Sequence, residues 1–226
     1  MLTDWLSSFH QERLIHARVE PIIVPLLPQE QMGFWHRRST VDQITLLTQH
    51  TKDSFTAKKD GALFVDLTAA YNIVWHRDLT CKLLWLLPDR DMVHMIIELV
   101  GNRSFTLTTG NGQRSRLWRL KNGIPQVSVL EPLLSIIYIS DLPTIVSRKH
   151  TYADDLAIMH ADGEWQAVEG VLSKNMAIIG EYLQTWKLKL STTKMVSAAF
   201  HLSNNDSRKH PTCWASLQWS HTVSSM

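Results

Sequence analysis

The chain has 226 residues, 44% of them hydrophobic, with a net charge of +2 and a mean hydropathy of -0.11, which fits a globular protein with one substantial or two small cores. The weakly basic balance, with a pI near 8.6, neither demands nor excludes a nucleic-acid partner. Cys81 and Cys213 form no paired-cysteine motif, none of the 11 histidines has H-E-x-x-H spacing, and no apolar run reaches the ~18 residues of a membrane span, so disulfide framework, zinc site and membrane insertion are all unindicated.

In chain order, the N-terminus lacks a basic-then-apolar signal pattern, so the expected location is intracellular, nuclear or cytoplasmic. Leu14, Ile15, Val19, Ile22, Ile23 and Val24 predict a helix ending before Pro21 and a short extended piece bounded by Pro25 and Pro28. Ser39 followed by Asp42 is a helix-capping signature, and that helix is expected to bury Val41, Ile44, Leu47 and Phe55. Lys58-Lys59-Asp60-Gly61 reads as a turn ahead of the apolar run Ala62-Leu63-Phe64-Val65, which stops at Asp66. Residues 79–87 and 92–100 read as helices parted by Pro88-Asp89. Residues 104–109 and 115–120 alternate in polarity about Gly110-Asn111-Gly112, a hairpin signal. Arg114, Arg116, Arg119 and Lys121 make its second strand basic, which suits a template backbone and equally a solvated face. An apolar helix over 130–139 follows. Beyond Asp162-Gly163, Trp165, Val168, Leu172, Ile179, Leu183 and Trp186 recur at helical spacing, and 195–202 reads as a last strand.

The chain is organised around Tyr152-Ala153-Asp154-Asp155, two adjacent carboxylates between strand-like runs, which would occupy a hairpin tip. Neighbouring carboxylates repel, a cost that a hard cation such as Mg²⁺ relieves; the pair alone is more often a solvated turn. Asp66 at the end of a second strand changes that balance. Three acids brought together on a strand pair would form a metal site, and two metals ~3.5–4 Å apart activate an attacking oxygen and orient a triphosphate.

Four stretches, in order, carry a family resemblance: Phe64-Val65-Asp66-Leu67-Thr68-Ala69-Ala70-Tyr71, Asn122-Gly123-Ile124-Pro125-Gln126-Val127-Ser128, Tyr152-Ala153-Asp154-Asp155, and Trp186-Lys187-Leu188-Lys189 through Lys194. Together they resemble the palm motifs of a reverse transcriptase of the non-LTR (LINE-like) retrotransposon type, over about Glu12 to Leu202. The resemblance implies an α+β fold, a right-hand polymerase palm with an antiparallel sheet backed by helices. Residues 1–60 would be partial fingers and 61–202 the palm, with a fingers-like hairpin at about 103–125. Residues 203–226 are expected to be an unrelated, disordered tail, with the thumb absent.

By the same resemblance, Asp66 and Asp154 would hold two Mg²⁺ ions with Asp155 supporting, and Lys194 would protonate the departing pyrophosphate. Arg38, Tyr71 and Gln126 would contact the nucleotide, and Gly123 and Pro125 the template. The implied reaction is RNA-directed DNA polymerisation, the implied partners an RNA template, a DNA primer and dNTPs. An inactive retroelement remnant, nucleic-acid binding or without selected function, is the alternative. The chain departs from the family pattern at Trp35, where an arginine is usual, at Asn72 in place of an acid, at Val127 in place of glycine, and at Glu131 in place of a small residue. Val127 is expected to matter most, because a β-branched residue offers neither glycine's φ/ψ range nor its room for close approach.

Overall fold

The computed structural model describes residues 2–34, 38–54, 59–68, 70–126 and 128–201, with side chains from 9 to 200. Trp35, Arg37, Phe55, Lys58, Val127 and the tail from Ser203 lie outside the described residues.

A four-stranded antiparallel sheet in the order β4-β5-β1-β6 forms the centre, from β1 (Lys59–Asp66), β4 (Arg148–Tyr152), β5 (Asp155–Asp162) and β6 (Val196–His201). Strand alternation sends Leu63 and Val65 of β1 and Leu156 and Ile158 of β5 into the core, while Ala62, Phe64 and Asp66 take the other face. Helix α6 (Trp165–Thr185) covers the core side with Val168, Leu172, Ile179 and Leu183, at the spacing read from the sequence. Helix α5 (Glu131–Ile139) is buried from Leu133 to Ile139 on all sides, which a helix apolar around its whole circumference requires. Around it pack α1 (Leu2–Ile23), α3 (His76–Leu86) and α4 (Arg90–Gly101), the last capped by the Asp89 carboxylate accepting from Asp91 N at 2.9 Å and Met92 N at 3.2 Å. A separate two-stranded ribbon, β2 (Ser104–Phe105) with β3 (Trp118–Arg119), stands where the hairpin was expected. The palm-like α+β reading therefore holds.

Four local readings are corrected. Lys59, Asp60 and Gly61 are not a turn but the start of β1, paired with Asp162, Ala161 and His160, and Val24–Leu26 is a 3-10 helix where an extended piece was expected. Helix α1 does not stop before Pro21 but runs to Ile23, with Pro21 in its last turn, because the fully buried Val19 and Ile23 hold that turn against the core. Helix α2 (Thr40–Ser54) is capped as expected, Ser39 N donating to the Asp42 carboxylate at 2.8 Å and Asp42 N to Ser39 Oγ at 3.3 Å. Its buried side, however, is Gln43, His50 and Ser54 with Leu47 half-buried, while Val41 and Ile44 are exposed. The strands beneath it offer polar groups: the rings of His50 and His150 lie 5.8 Å apart.

The helical layer is tied together by Lys82 of α3, which is buried. Its ammonium donates to the Tyr138 carbonyl at 2.5 Å and to Tyr182 Oη at 3.1 Å, pairs with Asp141, and lies 3.7 Å from the Trp186 ring centroid. Burial pushes its pKa down from 10.5 to about 8, partly offset by Asp141. Between pH 8 and 10.5 the unfolded lysine keeps a proton that the folded one has lost, so stability rises with pH in that window. Urea unfolding across it should show the stability of the parent gaining about 2 kcal/mol on that of Lys82→Met. A parallel pH dependence in both proteins would show that the lysine is not desolvated.

Candidate active site

Eight register pairs join β1 to β5, and the last of them sets Asp66 opposite Asp155. Cross-strand partners share a sheet face, so both carboxylates leave on the side away from the core. Tyr152 pairs with Asp155 across β4 and β5, which leaves Ala153 and Asp154 as a two-residue turn. The two motifs that the sequence separates by more than eighty residues thus meet at one strand end. Asp155 feels this crowding: its carboxyl is pushed up by burial, then by the Asp154 and Asp66 charges, with Lys194 pulling the other way.

The turn is held from behind. Ala153 is buried with φ at +53°, a left-handed conformation that costs an L-residue with a Cβ roughly 1–2 kcal/mol. The buried Gln31 amide takes both backbone groups of that residue, Ala153 N donating to Oε1 at 3.0 Å and Nε2 donating to Ala153 O at 3.1 Å. Gly33 N also donates to Gln31 Oε1, at 2.9 Å. Flanking bonds, Met32 N to Thr151 O at 2.8 Å and Thr151 N to Glu30 O at 3.2 Å, lay this segment along β4. A Cβ on Gly33 would stand 2.1 Å from Ala153 N, so only glycine permits the approach.

From the other side, Ser191 N donates to Asp66 O at 2.9 Å and Thr68 N to Lys189 O at 2.8 Å, which clamps the end of β1 against the loop after α6. This brings the Lys194 ammonium 3.1 Å from the Asp66 carboxylate. The loop 122–126 is stitched to the segment after β1: Ile124 N to Tyr71 O at 2.9 Å, Gly123 N to Val74 O at 2.7 Å, and Asn122 Nδ2 to Asn72 O at 3.2 Å. Gly123 sits at φ +85° with room for a Cβ only 3.2 Å from Asn72 O. Gln126 is exposed and its Nε2 donates to Asn72 Oδ1 at 3.4 Å, while Pro125 beside it is half-buried. Tyr71 is half-buried next to the acids, its phenol pushed up by burial first and then by Asp154, Glu131 and Asp155.

Asp66, Asp154, Asp155, Lys194 and Tyr71 therefore gather at one place, with Gly123, Pro125 and Gln126 on the adjoining loop. Arg38 is turned elsewhere: its Nη1 donates to the carbonyls of Gln29 and Gln31, both at 2.8 Å, and so closes the loop that carries Gln31. Val127 and Trp35 cannot be placed, being outside the described residues. Sequence reasoning missed Gln31 and Gly33. Gln31-Met32-Gly33-Phe34 carries no pattern of polarity or spacing that says the glutamine is buried. Among the described residues no three His, Cys, Asp or Glu groups converge as a closed metal-binding cluster.

The model of the family described as "Reverse transcriptase (RNA-dependent DNA polymerase)" matches residues 10–219. The chain belongs to the reverse transcriptase family. Its relatives include the probable RNA-directed DNA polymerase from transposon BS of Drosophila melanogaster, 31% identical over 212 residues, covering 87% of this chain and 23% of that protein. The RNA-directed DNA polymerase from mobile element jockey of the same fly is 24% identical over 202 residues, covering 84% and 22%. This reverse transcriptase domain is of the non-LTR retrotransposon type that the motifs indicated, and it spans under a quarter of the length of those relatives. Its fold is shared with telomerase from Candida tropicalis in complex with a fragment of telomeric RNA, at 12% identity and a TM-score of 0.59, covering 86% of this chain and 33% of that one.

Gln31→Leu keeps most of the volume but leaves three backbone groups without their partner. The expected cost is about 3 kcal/mol in chemical denaturation, with faster amide exchange at Ala153 and Gly33 than elsewhere in the sheet. Uniform acceleration across β4 and β5 would mean that the glutamine supports the sheet and not the turn.

Proposed function

We propose that this domain catalyses RNA-directed DNA synthesis, the primer 3′-OH attacking the α-phosphate of a dNTP paired to an RNA template. The observation that supports this most is the rung that sets Asp66 beside Asp155, with Asp154 on the adjoining turn. Their chemistry fits hard divalent cations: all donors are carboxylate oxygens, and the Asp155 carboxyl, raised first by burial, is raised further by the Asp154 and Asp66 charges beside it. Asp66, Asp154 and Asp155 would hold two Mg²⁺ ions, which would supply Lewis-acid activation of the attacking oxygen and charge neutralisation at the leaving one.

The chain's own residues do the rest. Tyr71, fixed by its carbonyl to Ile124 N and flanked by the acids, would limit the space beside the nucleotide sugar and so disfavour a 2′-OH. Gln126 and the Gly123-Ile124-Pro125 backbone would orient the template base against it. Lys194 lies 3.1 Å from the Asp66 carboxylate, where its ammonium would donate to the departing pyrophosphate.

A second reading, an inactive remnant that still binds RNA, is favoured by one observation: Lys194 already neutralises Asp66 while no three-ligand cluster is closed among the described residues. Primer extension on an RNA template with Mg²⁺ and dNTPs separates the two. The polymerase reading expects extension in the parent that Asp66→Ala and Asp154→Ala abolish; extension that survives both would come from another source. RNA binding without extension identifies the remnant.

Lys194 and divalent ions compete for the same carboxylate in this scheme. Lys194→Met is expected to tighten Mn²⁺ binding roughly two- to fivefold, the worth of a largely exposed ion pair, while it slows incorporation. Titration followed by Mn²⁺ paramagnetic resonance reads the first effect without turnover. Weaker binding in the variant would show that the ammonium orients Asp66 for the metal instead of opposing it.

A further inference from the structure

The ribbon over residues 103–121 has no place in the chemistry above, yet it is rooted in the template loop. Arg103 at its base donates Nη2 to Gly123 O at 2.6 Å and Nε to Val100 O at 3.1 Å, and His76 N donates to Lys121 O at 3.3 Å. Beyond that base the ribbon stands apart from the main sheet. No Asp or Glu lies between Glu98 and Glu131, whereas Arg103, Arg114, Arg116, Arg119 and Lys121 all do, so this segment carries more positive charge than the +2 of the whole chain. All four cations beyond the base are exposed.

Its strands are not in simple register. Phe105 faces Trp118, but Thr108 bridges Arg114, so three steps on the first strand match four on the second. The extra residue is a bulge, a device that re-aims side chains. Here it brings the Arg116 guanidinium 4.1 Å from the Trp118 ring centroid while that ring stays 43% exposed, with Phe105 at 41% across the ladder. An uninterrupted row of cations suits a phosphate backbone, and exposed aromatics beside it suit unpaired bases, whose faces a duplex hides.

We propose that this ribbon is a docking arm for single-stranded nucleic acid, with Arg114, Arg116 and Arg119 on the phosphates and Trp118 as a stacking platform, feeding the strand to the loop at Asn122 to Gln126. The assignment of that strand as template rests on the polymerase reading; the arm itself does not.

The test is binding of the intact chain, without dNTPs or divalent ions, to a labelled single-stranded RNA and to the same RNA in a duplex. The triple variant Arg114→Gln, Arg116→Gln, Arg119→Gln should reduce the slope of log affinity against log salt by about 2. Trp118→Ala should weaken single-strand binding about tenfold and leave duplex binding unchanged. All four side chains are exposed, so thermal melts of the variants should match the parent. An unchanged salt slope, equal loss on single strand and duplex, or no RNA binding by the parent overturns the arm. Arm-dependent binding without primer extension supports the arm and overturns the polymerase reading. Extension sensitive to Asp154→Ala, with binding indifferent to the arm variants, does the reverse.

Discussion

The structure depends on keeping Asp66 and Asp155 opposite each other on an antiparallel ladder, an arrangement that like charges disfavour. Local contacts, the Lys194 ion pair and the Ser191 N bond to the Asp66 carbonyl, reach only Asp66 and do not set the register. The seven further pairs of β1 with β5, and the apolar side chains beneath them, fix the register, since slipping by one residue would turn Leu63, Val65, Leu156 and Ile158 out of the core. Burial of that face thus sets the position of the charged one. The remaining supports act on backbone: Gln31 on the turn, Ser191 N on the Asp66 carbonyl. Backbone anchoring does not draw on the carboxylate oxygens, of which Asp66 Oδ2 is engaged by Lys194.

How far the sequence revealed this follows from what each signal encodes. An apolar run flanked by an acid says that a strand lies there and which end carries the charge; that holds for Asp66 of β1 and Asp155 of β5, both strands being buried over consecutive residues. The helix spacing of Val168, Leu172, Ile179 and Leu183 likewise names the face that meets the sheet. The same logic fails on α2. Of its apolar residues Val41, Ile44 and Leu46 are exposed, and its docking side is Gln43, Leu47, His50 and Ser54, with His50 against His150 of β4. Periodicity finds apolar stripes and is blind to polar ones. Gln31 escapes for a related reason: its importance lies in two backbone groups of a residue 122 positions away, and no one-dimensional pattern carries a contact of that kind.

Arg38 shows the limit from the other direction. The family resemblance assigns Arg38 to the nucleotide, whereas in the structure its guanidinium bonds the chain's own backbone. Its guanidinium closes the loop of Gln29 and Gln31 and so stabilises the segment that pins the acidic turn. That makes it a neighbour of the site through Gln31, two removes from the carboxylates. Among the described residues, the cation in direct contact with an acid of the site is Lys194.

Around the site, charge is segregated: acids at the strand ends, cations without acids on the ribbon 103–121, and the Lys194 ammonium against Asp66. A polyanion approaching the acids alone is repelled, and because Asp66 and Asp154 are half-buried, salt screens their share of that repulsion less than it screens exposed charges. The opposing attraction sits on exposed arginines, where salt screens it well. It follows that the two halves of the task respond to different ions. Under the proposed function, monovalent salt would govern whether a strand stays on the domain, while divalent cations would govern whether its phosphates could lie against Asp66, Asp154 and Asp155 at all. In a fold that keeps the acids by register and the cations by exposure, binding and chemistry can be lost independently, and the retention of one is no argument for the other.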